Sequence, residues 1–211
     1  MAKTIEFPNF TFIPESDEDD YDIELDCEVE SDEDDDRTIW ITSDVSVSCL
    51  EHVKKILKWN KEDRDNEIDH EDREPIRVFI FSYGGDVNAG VNLSEVIKLS
   101  KTPIITINMG VAMSMGLTIF IEGHRRYCLR TSEAMIHSGS AEITGTFEQI
   151  ESQYNSYRRS VRSFKKRIME SSSIPEEIMK LNNERDWYLD AEEQLKYGIV
   201  DEIIEDIDMI V

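Results

Sequence analysis

The chain has 211 residues, 39% of them hydrophobic, and a formal net charge of −23. That length suits one domain with a sizeable core, and no window approaches the roughly 18 uninterrupted apolar residues of a membrane span. So acidic a chain repels nucleic-acid phosphates and anionic lipid alike, so neither nucleic acid nor a membrane is an expected partner.

The opening MAKTIEFPNF has no basic stretch leading into an apolar core, so no secretory leader is expected. Three widely spaced cysteines, Cys27, Cys49 and Cys128, suit reduced thiols in a cytoplasmic protein and offer no metal-ligand spacing. Residues 1–36 form a separate acidic segment, in which 15–36 hold fifteen acids and no base. Two readings stay open there. Such a run is commonly a solvated tail, yet Tyr21, Ile23, Leu25, Cys27 and Val29 alternate strictly with acids, the pattern of a strand with one buried face.

From residue 37 to 211 the pattern is that of one α/β domain. RTIWITS (37–43) reads as a strand, 45–59 as an amphipathic helix and 60–74 as a charged loop ended by Pro75. IRVFIF (76–81) and PIITINM (103–109) are short apolar runs of the kind found in buried parallel strands. A helix is expected over 87–99 between them and another over 113–121 after them. RYCLR and EAMIH read as two further strands, so the rhythm is one of parallel βαβ units.

Between 146 and about 170 the periodicity changes. Phe147, Ile150, Tyr154, Tyr157, Val161, Phe164 and Ile168 recur at alternating spacings of three and four, a heptad-like stripe on one long helix, with Thr146 and Gln149 as a capping box. The stripe fits either the domain's own core or a contact with another subunit. A short helix follows near 175–181. The chain closes on a helix capped by Asp190 and Glu193 and ended by Gly198, then a last strand.

The chemistry-bearing residues are individually weak signals. Gly84-Gly85 reads first as a tight turn; without G-x-G-x-x-G or G-K-[ST], and with Asp86 beside it, a phosphate cradle fits poorly. Paired glycines also expose backbone N–H groups that suit an oxyanion hole. Ser114, within NMGVAMSMGL, is either a small residue for close packing or a nucleophile at a helix start. His137 ends an apolar strand, and Asp186 is one of forty-six acids. In order, however, Gly-Gly, Ser, His and Asp each fall at the end of a strand or the start of a helix. In parallel α/β folds that is the edge where sites collect, and a serine hydrolase needs such a set.

The blocks SYGGDVNAG, NMGVAMSMG, AMIH and ERDWYLDAEEQLKYGIVDEI resemble, in unbroken order over 37–205, the proteolytic subunit of Clp protease. The resemblance implies a crotonase-like α/β fold with a protruding helical handle, here about 146–170. It implies a serine endopeptidase that cleaves unfolded polypeptides by an acyl-enzyme route, with Ser114 as nucleophile, His137 as base and Asp186 as orienting acid. The N–H groups of Gly85 and Met115 would hold the oxyanion. No metal or organic cofactor is implied; ATP is used by a partner AAA+ unfoldase that feeds a homo-oligomer of stacked heptameric rings.

Tyr83 stands where the family usually has proline, and Ser138-Gly139 where it usually has a polar residue and proline. The alternatives are a non-catalytic structural ring subunit and a crotonase-type acyl-CoA enzyme. Both are disfavoured by a complete Ser-His-Asp set.

Overall fold

A computed structural model of the chain describes residues 36–139, 142–182 and 185–210, within the unit Asp35–Val211. The alternating stretch 21–29, including Cys27, lies outside these residues, as does the rest of the acidic segment up to 35. In chain order the elements are β1 (Thr38–Ile41), α1 (Cys49–Asp65), β2 (Ile76–Ser82), α2 (Val87–Leu99), β3 (Ile104–Met113) and α3 (Met115–Phe120). β4 (Arg125–Cys128), β5 (Glu133–Ile136), α4 (Phe147–Glu170), α5 (Glu176–Leu181), β6 (Trp187–Leu189), α6 (Ala191–Lys196) and β7 (Glu202–Ile203) follow. The fold is the mostly parallel α/β architecture expected from the sequence. The strands run β1-β2-β3-β4-β7, with β5 joined to β3 and β6 to β5; among the described residues only the β5–β6 pairing is antiparallel.

The sheet has two unequal faces because successive strand side chains point opposite ways. Ile76, Val78 and Ile80 of β2 face the main core, against Ile56 and Trp59 of α1, Leu93 and Ile97 of α2, and Leu117 and Phe120 of α3. The opposite face carries a smaller cluster of Phe79, Ile107, Ile204 and Ile210. Trp40 stacks on Phe79 there, ring centroids 4.3 Å apart, and stays 54% exposed. The apolar runs of β2 and β3 thus have one helix-covered face and one partly open face, rather than two covered ones.

Boundaries differ from the sequence reading at β3, α3 and α1: β3 runs on past 109 to Met113, so α3 spans Met115–Phe120 rather than 113–121. Val45 lies in an isolated bridge to Gly85, so α1 begins at Cys49. It then runs to Asp65, through residues that read as a charged loop. The reason is Asp63, one turn beyond Trp59 on the same buried side of the helix. Its carboxylate is paired with Arg37 at 2.6 Å and accepts from Thr102 Oγ1 at 2.6 Å, so a charge that reads as solvated is instead buried and satisfied.

The long helix α4 starts at the Thr146–Gln149 capping box. Its apolar stripe divides by position. Ile168 is fully buried and Phe164 packs against the main core, whereas Phe147 (75%), Ile150 (41%) and Tyr154 (51%) are exposed. The base of the helix is clamped by Arg167, which bonds Glu122 at 3.1 Å and Glu95 at 2.7 Å. One stripe therefore serves the domain's own core at one end and is open at the other.

Candidate active site

The topology explains how three distant residues meet. β3 pairs with β4 through Ile105–Asn108 and with β5 through Val111–Met113, changing partner at Gly110. Gly110 has φ +153°, and a Cβ there would fall 2.8 Å from the Phe81 ring, so only glycine fits this bend. The bend carries Met113 level with Met135 of β5, and the next residue is Ser114, whose N–H donates to the Met135 carbonyl at 3.0 Å. β5 ends at Ile136, which pairs with Trp187 of β6. His137 leaves that antiparallel pair on one strand and Asp186 enters it on the other, so the two side chains fall side by side.

Ser114 Oγ lies 2.7 Å from His137 Nε2, and His137 Nδ1 lies 3.5 Å from Asp186 Oδ1. The first is a good hydrogen bond. The second is longer than the usual 2.7–2.9 Å of a charged hydrogen bond, and the Asp186 side chain is 56% exposed. Ser114 itself has φ 52°, ψ −118°, a conformation costly for any residue with a Cβ. It occupies the sharp turn between β3 and α3, so its hydroxyl stands out from the sheet edge, as in a strand–nucleophile–helix elbow.

Close backbone approach supports that turn. A Cβ on Gly84 would lie 2.7 Å from the Ser114 Cβ, and one on Gly116 would lie 2.9 Å from the Ser82 carbonyl oxygen. Gly85 (φ +137°) presses against Val45, where a Cβ would fall 2.3 Å from the carbonyl oxygen. The Val45 N–H donates to the Gly84 carbonyl at 2.6 Å and its carbonyl accepts from Asp86 N–H at 2.7 Å, fixing the glycine pair. The Gly85 N–H has no acceptor among the described residues. The Met115 N–H opens α3, where the first donors of a helix find no partner within it. Both residues, with Ser114 and His137, line one cleft of about 290 Å³. Two free N–H groups beside a serine hydroxyl suit an oxygen that gains negative charge.

The rest of the cleft is mostly apolar or aromatic, lined by Tyr83, Val87, Tyr157, Val161 and Phe164 together with Ser138. Tyr157 belongs to the α4 stripe, yet its hydroxyl donates to the Ser138 carbonyl at 2.9 Å. The sequence marks Ser138 only as a departure from the family pattern and gives no signal for Lys165, but Lys165 Nζ reaches Ser138 Oγ at 2.9 Å.

The profile of the Clp protease family matches residues 31–207. Among curated relatives, the ATP-dependent Clp protease proteolytic subunit of Deinococcus radiodurans is 32% identical over 134 residues, which are 63% of this chain and 66% of that one. Proteolytic subunit 2 of the same type from Treponema pallidum is 30% identical over 134 residues, 63% of this chain and 67% of that one. Among solved structures, a ClpP1 mutant from Listeria monocytogenes superposes with a TM-score of 0.70 at 28% identity, covering 84% of this chain and 96% of its own. The sheet that turns at Gly110 to present Ser114, the long helix beside it and a profile match over most of the sequence lead to one assignment: the chain belongs to the Clp protease family.

Proposed function

We propose that the chain is a serine endopeptidase, the proteolytic subunit of a Clp-type ATP-dependent protease acting on unfolded polypeptides. The observation that carries this reading is the Ser114 Oγ–His137 Nε2 contact of 2.7 Å in a cleft that also holds the Gly85 and Met115 N–H groups. With the imidazole proton on Nδ1, facing Asp186, Nε2 accepts the Ser114 proton as Oγ attacks a peptide carbonyl carbon. The carbonyl oxygen becomes an oxyanion held by the Gly85 and Met115 N–H groups. The resulting imidazolium is stabilised by Asp186 and returns its proton to the leaving amine, so the C–N bond breaks and an ester on Ser114 remains. Water, deprotonated by Nε2, then attacks the ester, and Ser114 regains its proton as the carboxylate product leaves. Every step uses groups of this chain, and no metal or organic cofactor is required.

The same reading places the chain in stacked heptameric rings of identical subunits, fed by an AAA+ unfoldase that consumes ATP. The exposed apolar end of α4 (Phe147, Ile150 and Tyr154) supports a contact between copies. Labelling with a fluorophosphonate probe followed by peptide mapping tests the chemistry: label on Ser114, absent from Ser114→Ala and strongly reduced in His137→Ala, is expected. The Ser114→Ala variant should lose on the order of 10⁶ in turnover of an unstructured protein. Turnover near the parental rate would overturn the assignment. A chain that neither takes the label nor cleaves protein would instead be a structural ring subunit, or an acyl-CoA enzyme if it turned over a thioester.

A further inference from the structure

His137 lies one residue beyond the end of β5, so the sheet ladder does not hold its backbone. Its side-chain partners are unequal, with a tight contact to Ser114 and a long one to the half-exposed Asp186. Something else must fix the chain at 137–139. The next residue, Ser138, is held by α4 at two atoms: Tyr157 Oη donates to its carbonyl at 2.9 Å and Lys165 Nζ donates to its hydroxyl at 2.9 Å. The two donors are two turns apart on α4 and both reach back to the same residue. Gly139 takes φ +76°, and a Cβ there would come within 3.2 Å of the Tyr157 hydroxyl, so the turn passes directly beneath that donor. The Lys165 ammonium is partly withdrawn from water, and burial holds its pKa below the usual lysine value.

We propose that Tyr157 and Lys165 are positioning residues for His137: by clamping Ser138 they fix the backbone that carries the imidazole, and so its reach to Ser114. This rests on the peptidase reading above. A rotation of the 137–138 peptide swings Nε2, at the far end of the ring, further than it moves the backbone, and misplacing a reacting group by about 1 Å can cost on the order of 10²-fold.

The test compares the full-length parental chain with Tyr157→Phe, Lys165→Met, Lys165→Arg, Ser138→Ala and the Ser138→Ala/Lys165→Met pair. Two quantities are measured: the rate of Ser114 labelling by a fluorophosphonate, and kcat and KM on an unstructured protein. Loss of one such hydrogen bond should lower the labelling rate and kcat by about 5- to 30-fold, with KM within about twofold and melting temperature little changed. Lys165→Arg, which keeps a charged donor, should retain most of the rate. The double variant should lose less than the product of its two single losses, because the Lys165–Ser138 bond is common to both.

If the parental chain is labelled and Tyr157→Phe and Lys165→Met are labelled equally fast, the clamp has no role in positioning and the inference fails alone. If KM rises while kcat and labelling hold, the two residues shape the substrate cleft and the inference also fails. A parental chain that takes no label overturns the peptidase reading and the inference together. Should Tyr157→Phe not fold, Lys165→Met and Ser138→Ala decide the question.

Discussion

Replacing Asp186 with Asn should reduce catalysis by much less than removing the acid from a buried triad. The carboxylate lies 3.5 Å from His137 Nδ1 and 56% of its side chain meets solvent. When His137 becomes an imidazolium, the attraction between the two charges is about 1 kcal/mol at the dielectric of water and about 5 kcal/mol at an effective dielectric of 20. Those bounds correspond to a loss in kcat between roughly 5-fold and 5,000-fold. Exposure puts the expected value near the middle, on the order of 10²-fold, against about 10⁴-fold for a triad acid shielded from water. The assay is kcat on an unstructured protein for the parental chain, Asp186→Asn and Ser114→Ala, each checked for folding by circular dichroism. A second readout is salt. At 1 M ionic strength the Debye length is about 3 Å, so the parental rate should fall toward that of Asp186→Asn, while the variant's own rate responds little. An unchanged kcat in Asp186→Asn would mean the acid does not orient or stabilise His137. A loss of 10⁴-fold or more, insensitive to salt, would mean that water is excluded from the pair during catalysis and that the exposure argument is wrong.

Further outcomes follow from other parts of the molecule. Ile168→Ala, at the buried end of the α4 stripe, should cost about 2–5 kcal/mol in denaturant unfolding, whereas Tyr154→Glu, at the exposed end, should leave subunit stability nearly unchanged and lower the assembly mass seen by light scattering. An unchanged mass would remove Tyr154 from any subunit contact. Gly85→Ala forces a Cβ to within 2.3 Å of the Val45 carbonyl oxygen at φ +137°, so the Gly85 N–H must shift; kcat should fall by about 10²- to 10³-fold, and full activity would exclude that N–H from the oxyanion hole. Burial holds the pKa of both His52 and His124 below the ordinary 6.5, and His124 Nδ1 accepts from the Ile104 N–H at 2.9 Å. A depressed folded-state pKa contributes stability that is complete above pH 6.5 and is lost as pH falls toward the folded value, with a slope of at most about 1.4 kcal/mol per pH unit for each histidine. Melting temperature should therefore drop between pH 7.5 and 5.5, and drop less in His124→Asn; equal slopes would show that His124 is not held neutral.

The parts of the site legible in the sequence are those encoded by local composition. Gly84-Gly85 marks a turn because few other residues take its backbone angles, and Ser114 between short apolar runs marks a strand-to-helix junction. What places Asp186 beside His137 is not local. It is the Ile136–Trp187 pairing of β5 with β6, and β6 is three residues long, too short for an alternation of polar and apolar positions to be read. The order of the motif blocks points to Asp186 through resemblance, while its distance from the histidine comes from a pairing that no periodicity announces. Asp63 was illegible for the opposite reason: its surroundings are polar, and only the distant Arg37 and Thr102 turn that position into a buried one.

Tyr157 shows where periodicity stops. Its place in the series from Phe147 to Ile168 gives the side of α4 on which it lies but not what it meets there. Four positions further, Val161 lines the cleft, and at Phe164 and Ile168 the same side has entered the domain core; one step back, at Tyr154, it faces outward. Tyr157 stands at the crossing, where its ring still belongs to the apolar stripe and its hydroxyl already reaches the peptide after His137. A phenylalanine would satisfy the stripe equally well. The hydroxyl is the part that periodicity leaves unexplained, and its bond to Ser138 is the physical reason to treat α4 as a wall of the candidate site as well as a part of the domain core.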